Sequence, residues 1–402
     1  MHKLGIGIVV VLVLGCGSAP SITPSPALPT TPESSGTLPP TGSAAPSTAV
    51  ASPTAATSAL VAWAQLLVDQ GPFAGSMVGG VTSLGDGYIA VGTDGDHPAA
   101  WTSADGRSWV RDEPPPAPQA VSVMSGVVPG GPGLVAVGYQ LGGFPTCTGM
   151  GPFVLVSTCD GPRDAVAWTS RDGRHWDLVA SPASFNGYLI DRPSTGSAGL
   201  IAPGHAAFGP MATVIWATPD GLRWQRRSSS SFKDGGITGL APMGSGWVAV
   251  GQGGFATHRF VARAWDSANG QVWSKANVEA GGDLMTGVAT SAHGLVAVGE
   301  TPAGGGMAWT SADGLSWKAA TISHAAALTV VAAVPGGVVA AGGDGIWELP
   351  DGQPWRHALV VAGVTFAAII TSSARTLVIG TRGDQPLAEE VVAWEGPPDI
   401  AP

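Results

Sequence analysis

The chain has 402 residues, only 11% of them charged, with 18 Lys and Arg against 28 Asp and Glu and a formal net charge of -10. That balance offers no basic surface to a phosphate backbone and argues against a nucleic-acid partner. Sixty Gly, 34 Pro and 44% hydrophobic residues point to a turn-rich, β-rich fold.

The first apolar run, Leu4 to Gly15 behind Lys3, is too short to cross a bilayer of about 30 Å and reads as the apolar part of an export signal, residues 1–15. It ends in Val13-Leu14-Gly15-Cys16, which resembles the lipobox of bacterial lipoproteins. The resemblance implies cleavage before Cys16 and a lipid on that residue, hence an extracytoplasmic protein anchored to the membrane at the cell surface. Residues 17–58 are Ser, Thr, Pro, Ala and Gly almost throughout, with Glu33 the only charge. Such a tract cannot bury a core and is expected to be a disordered spacer. With Cys16 lipidated, Cys147 and Cys159 remain within one insertion, either as a disulfide in an oxidising compartment or as two thiols.

Residues 59–398 carry a repeat, followed by a short tail at 399–402. Six times a Trp is followed by another eight positions on: Trp101/Trp109, Trp168/Trp176, Trp216/Trp224, Trp265/Trp273, Trp309/Trp317 and Trp347/Trp355. Between them, at one offset, lie Asp105-Gly106, Asp172-Gly173, Asp220-Gly221, Asn269-Gly270, Asp313-Gly314 and Asp351-Gly352. This pattern predicts a three-residue hairpin loop with Gly in the left-handed region and the two Trp opposite one another. Upstream of each hairpin a strand of small and branched residues ends in Gly: Tyr88 to Gly92, Leu134 to Gly138, His205 to Gly209, Trp247 to Gly251, Leu295 to Gly299, Val338 to Gly342 and Leu377 to Gly380. A further apolar strand precedes it, as at Met77 to Thr82 and Met285 to Ala289.

Four strands repeated every 40 to 50 residues or so suit an all-β, seven-bladed β-propeller of antiparallel blades. The last repeat stops after Trp394, and Leu60 to Leu67 around Trp63 supplies its missing fourth strand, so the N-terminal strand closes the ring and leaves no open sheet edge. Trp247 alone of fifteen Trp stands outside the repeat register.

The segment Ser103-Ala104-Asp105-Gly106-Arg107-Ser108-Trp109 resembles the Asp-box, or bacterial neuraminidase repeat, of sialidase-type propellers, with Asp and Gly adjacent where the family usually has a spacer. The resemblance implies that these aspartates form peripheral turns, their carboxylates accepting backbone N–H groups. It also implies what a sialidase would need: an Arg cluster, a Tyr and Glu pair and an acidic acid/base. The sequence marks none of these, with three Tyr in all and Arg107, Arg171, Arg174 and Arg223 placed in the turns. No catalytic residue is assigned.

In propellers, ligand contacts fall on the loops between second and third strands and on those joining blades. The longest such loop, Tyr139 to Asp164, contains the cysteine pair. Other candidates for ligand binding are Asp94, Asp96 and His97, then His258 and Arg259, then Glu300, and finally Arg382 and Asp384. Asp94-Gly95-Asp96 gives a faint hint of calcium, but no metal-ligand spacing, Gly-x-Ser-x-Gly elbow or phosphate loop occurs, and no cofactor is expected. The sequence therefore points to a monomeric, membrane-tethered module that binds or scaffolds an envelope protein or glycan. A sialidase-like exo-glycoside hydrolase is the alternative.

Overall fold

The computed structural model describes residues 62–119, 121–142, 163–179, 185–207, 213–227, 229–257, 259–383 and 390–400. The export signal, Cys16, the spacer, Cys147, Cys159, His258 and Asp384 lie outside the described residues. The strands assemble into seven antiparallel blades in a ring: blade 1 (76–112), blade 2 (121–178), blade 3 (188–227), blade 4 (235–275), blade 5 (284–326), blade 6 (328–360) and blade 7 (365–396 with 64–66). The chain is thus the all-β seven-bladed propeller that its repeats predict.

Each second strand is a run of small and branched residues because both of its faces are covered by protein. Val135, Ala136 and Val137, like Val248, Ala249 and Val250, are wholly buried. The first Trp of each blade packs on the blade before it: Trp101 on Leu377 and Ile379, Trp168 on Ile89 and Val91, Trp216 on Val135 and Val137, Trp309 on Val248 and Val250. The core is therefore a set of layers between blades. In blade 3 the second strand is Gly199–Ala206, not the expected His205 to Gly209. Pro203 replaces the branched residue in Leu-Ile-Ala-Pro-Gly and disguises the repeat.

The first strands line the channel and carry a β-bulge at one height, as between Val78 and Gly80, Met124 and Gly126, Ile237 and Gly239, and Met285 and Gly287. Hydroxyls at the bulge tie blade to blade. Ser125 Oγ donates to Ile190 O at 3.0 Å, Thr286 Oγ1 to Leu328 O at 2.6 Å, and Thr238 Oγ1 to Met285 O.

The turns do what the aspartates suggest, by a longer route than expected. Asp105 Oδ1 accepts the N–H groups of Arg107 and Ser108, both at 2.8 Å, and Ser103 Oγ accepts Gly106 N–H at 2.8 Å. Asp172, Asp220 and Asp313 each accept two N–H groups in the same way, as does the amide oxygen of Asn269, at 2.8 and 3.1 Å. Looping the backbone around an acceptor takes more chain than a three-residue loop supplies, so Thr102 pairs with Val110 and residues 103–109 form the turn.

The expectation that the two Trp of each pair stand opposite one another is corrected by this longer turn. Trp101 faces Arg111 and not Trp109, and Trp168 faces Leu178 and not Trp176. In blade 5, Trp309 faces Ala319 and not Trp317, and Trp317 instead pairs in parallel with Val278 of the short strand Asn277–Val278. The second Trp folds back over the turn, its indole N–H donating to the glycine carbonyl. That bond is 3.2 Å for Trp109 and Gly106, 2.8 Å for Trp176 and Gly173, and 3.0 Å for Trp317 and Gly314. A Phe bridges the two rings in three blades, Phe73 lying 5.0 Å from Trp101 and 5.6 Å from Trp109, with Phe185 and Phe232 placed likewise.

The turn glycine, at φ +79° for Gly173, is also wedged into the preceding blade: a Cβ there would lie 2.3 Å from Ile89 Cδ1. Gly221 and Gly314 are seated the same way, 2.5 and 2.7 Å from Val135 and Val248.

Closure is made by Ala64–Leu66, which pairs with Glu395, Trp394 and Ala393. Trp63 Nε1 donates to Glu348 Oε1 of blade 6 at 2.7 Å, and the Gln70 amide continues the ladder by bonding both backbone groups of Val391. Ile400, in the C-terminal tail, is buried between blades 6 and 7, its N–H on Pro335 O at 2.9 Å.

The turns have two measurable consequences. The backbone N–H groups, joined at Asp172 by the His175 ring, hold the carboxyls of Asp105, Asp172, Asp220 and Asp313 below their ordinary range. A depressed carboxylate stabilises fully above about pH 4, and that contribution is lost as pH falls through the lowered values. Asn269 shows that an amide holds the same turn without titrating. The combined variant Asp105→Asn, Asp172→Asn, Asp220→Asn, Asp313→Asn should therefore lose less thermal stability than the native chain between about pH 4 and pH 2. Separately, Gly173→Ala and Gly352→Ala impose the same left-handed strain of about 1 kcal/mol, but only the first also collides with a neighbouring blade. Thermal melts should show Gly173→Ala the more destabilised by at least about 1 kcal/mol.

Candidate functional site

The second-to-third strand loops and the links between blades share one face of the ring. One position on that face varies among the repeats: the residue after the second-strand glycine is Thr93, Tyr139, His205, Gln252, Glu300, Gly343 and Thr381 in blades 1 to 7, with Thr shared by blades 1 and 7. The glycine before it is fixed by sterics, since a Cβ at Gly92, Gly138, Gly251 or Gly299 would come within 2.0 Å of a first-strand carbonyl oxygen. The next residue is released from that constraint and varies in chemistry, with Thr93 and Thr381 buried and Tyr139, His205, Gln252 and Glu300 partly exposed.

Below the mouth, blade 3 interrupts the channel. Its first strand is split into Tyr188–Ile190 and Ser194–Gly196 by Asp191-Arg192-Pro193, where Pro193 has no N–H for the ladder. Arg192 adopts φ +43°, a left-handed conformation unusual for a long side chain. From there its Nη1 donates to Thr238 O of blade 4 at 3.1 Å and to Thr286 O of blade 5 at 3.4 Å. Other blades carry small residues at this height, namely Gly79, Ser125, Thr238, Thr286, Thr329 and Ala367. A single guanidinium thus spans three blades across the channel. Asp191 Oδ1 accepts the Arg192 N–H at 2.7 Å. Its side chain keeps 46% of its surface, and enclosure by the surrounding protein pushes its carboxyl up against the pull of Arg192. Burial holds neighbouring His205 below its ordinary range.

Blade 5 places two acids together at the end of its first pair of strands. Burial raises Asp283, and burial together with Asp283 raises Glu300. The Asp283 N–H donates to Glu300 O at 3.1 Å, fixing the two residues side by side across the first pair of strands.

The sequence candidates are not gathered into one pocket. Asp94 is ion-paired with Arg111 of its own blade, and Asp96, in the two-residue turn Gly95-Asp96, lies 3.3 Å from the adjoining His97. Arg259 is exposed after the short 3₁₀ turn Phe255–Thr257, and Arg382 stands opposite Glu390 in blade 7. Among the described residues no hydrogen bond or ion pair joins candidates of different blades, and no group of three or more His, Cys, Asp or Glu side chains gathers as a metal site. Trp247 is structural: it is 2% exposed, and a Cβ at Gly196 would come 2.7 Å from its ring. The residues that sequence reasoning passed over are Asp191, Arg192, His205 and Asp283. The signal for Asp191 and Arg192 was the one first strand with Asp-Arg-Pro in place of an apolar, small-residue pattern.

No protein-family model matches the chain. No curated protein matches it by sequence. Solved structures do resemble it. YCF48 bound to D1 peptide superposes with a TM-score of 0.53 at 15% identity, covering 85% of this chain and 97% of that one. The RRP9 WD40 repeats superpose with a TM-score of 0.54 at 10% identity, covering 84% and 99%. The likeness is one of fold. A Trypanosoma rangeli sialidase in complex with the inhibitor DANA reaches a TM-score of 0.39 at 12% identity, over 83% of this chain and 55% of that one, which says nothing about activity.

Arg192→Met removes the cationic spoke while keeping most of its length. Losing charge-assisted bonds to two carbonyls should cost about 2 kcal/mol, seen as a lowered midpoint in a denaturant titration with an unchanged slope.

Proposed function

We propose that this propeller is a binding module, exported and held at the membrane by a lipid on Cys16, which presents its loop face to an envelope protein or glycan. The observation that carries the reading is that the residue after the second-strand glycine is not repeated from blade to blade across blades 2 to 5, where it is Tyr139, His205, Gln252 and Glu300. Residues repeated in every blade build the blade, whereas recognition of an asymmetric partner needs different groups around the mouth. YCF48, a propeller of similar fold, is seen bound to a peptide, which is compatible with this use of the architecture.

A second reading, a sialidase-like glycoside hydrolase, is favoured by one feature. Glu300 is half-buried and pushed above the usual carboxylate range by burial and by Asp283, which is how a general acid is kept protonated.

Both readings meet in one experiment. The mature chain is applied to glycan and peptide arrays and, in parallel, to fluorogenic sialosides and other aryl glycosides, with Glu300→Gln and His205→Ala beside it. The expected outcome is binding without turnover, weakened at least about tenfold in one of the variants. Turnover that disappears in Glu300→Gln would make the protein a hydrolase.

A further inference from the structure

The turns between third and fourth strands lie on the face of the ring opposite the second-to-third strand loops. In each, two residues separate the turn glycine from the second Trp. Their backbone N–H groups are the ones the acceptor gathers, as Arg107 and Ser108 donate to Asp105 and Leu315 and Ser316 to Asp313, and their side chains are left in solvent. At these positions blades 1 and 2 carry Arg107, Arg174 and His175, whereas blades 3, 4 and 5 carry Leu222, Val272 and Leu315.

Nothing in the fold asks for an aliphatic residue here, since Arg, Ser, His and Gln hold the same positions in other turns. Yet Leu222, Val272 and Leu315 are 50%, 71% and 49% exposed, in three consecutive blades on one face. Exposed apolar groups arranged in this way mark a contact with something outside the ring. The charge at the same positions narrows what that is. No Asp or Glu stands at either position in any of the six turns, in a chain where acids outnumber bases 28 to 18, and Arg223 beside Leu222 is 88% exposed. Aliphatic tips with cations beside them and no acids among them suit an anionic lipid surface.

The closing strand shows which face a tether would draw down. Ala64 pairs with Glu395 and Leu66 with Ala393, so this strand runs from the turn end of blade 7 toward its loop end. Trp63 lies at the turn end, where a Cβ on Gly396 would come 2.7 Å from its ring. Whatever precedes residue 62 therefore joins the ring on the face that carries Leu222, Val272 and Leu315. We propose that the turns of blades 3, 4 and 5 rest on the anionic membrane surface, their three aliphatic side chains entering the headgroup layer and the loop face pointing away from it. The proposal rests on the anchor read at Cys16. A flexible spacer the length of residues 17–58 spans about 35 Å and holds the ring near the surface at an effective concentration on the order of millimolar, so a contact too weak for a free protein suffices.

The test reconstitutes the exported chain in vesicles of phosphatidylethanolamine and phosphatidylglycerol. Its intact mass reads the lipid on Cys16, and hydroxyl-radical footprinting by mass spectrometry reads the exposure of single side chains. Oxidation of Leu222, Val272 and Leu315 is expected to fall at least about threefold relative to the same mature chain without lipid in solution. Val261 and Val360, exposed at the loop ends of their strands, should be unchanged. In a second measurement the chain without lipid is sedimented with these vesicles at millimolar lipid, beside the variant Leu222→Ser, Val272→Ser, Leu315→Ser, which alters only exposed side chains and is expected to bind at least about tenfold more weakly. An unmodified Cys16 overturns the anchor and this proposal with it, whereas a lipidated chain whose three tips stay open to the radical overturns this proposal alone. Equal loss at Val261 and Val360, equal sedimentation of the variant, or protection that appears without vesicles as the chain is concentrated also overturns it, the last by assigning the face to a second copy.

Discussion

Everything in this ring depends on one small device, an acceptor oxygen that gathers two backbone N–H groups and so bends the chain into a knob. The knob satisfies polar groups that would otherwise be stranded near a hydrophobic layer, and its glycine brings it close enough to lodge in the blade before. Because the first Trp of each blade also rests on the preceding blade, the turn and the ring act in one direction around the circle. Blade cohesion is therefore mostly cohesion between neighbours, as in other repeat architectures, although closure denies the ring any free end.

The repeat made most of this architecture readable. Paired Trp, an Asp-Gly or Asn-Gly between them and a Gly at the end of a branched strand recur because each meets the same steric or polar demand from blade to blade, and a demand met six times or more leaves a pattern. Blade number and the closing role of the N-terminal strand followed from where the pattern begins and stops. The register of the turn did not, because the spacing of two Trp such as Trp309 and Trp317 fits both a short hairpin and a long one. Only the need of an acceptor such as Asp105 or Asp313 to reach two N–H groups decides between them. The second strand of blade 3 escaped for the opposite reason: Pro203 removed the branched residue by which such strands are known.

Sites were less legible than fold. Asp94, Asp96 and His97 looked suitable because they sit in a loop, yet Arg111, two strands away in the same blade, engages Asp94. Arg192 escaped notice because its meaning lies in carbonyls of blades 4 and 5, far along the chain. Both cases share a cause. A propeller brings equivalent heights of all blades to one axis, so the neighbours of a channel residue are set by height in the blade and not by nearness in sequence.

The closing strand has a mechanical meaning. Ala64–Leu66 is held to blade 7 by three residue pairs, with Trp63 on Glu348 and Gln70 on Val391 as its side-chain anchors. It is also the point at which anything attached ahead of residue 62 joins the ring. A pull on the N-terminus is thus borne first by the latch and not spread over seven blades, and the load needed to open the ring is set by these few contacts.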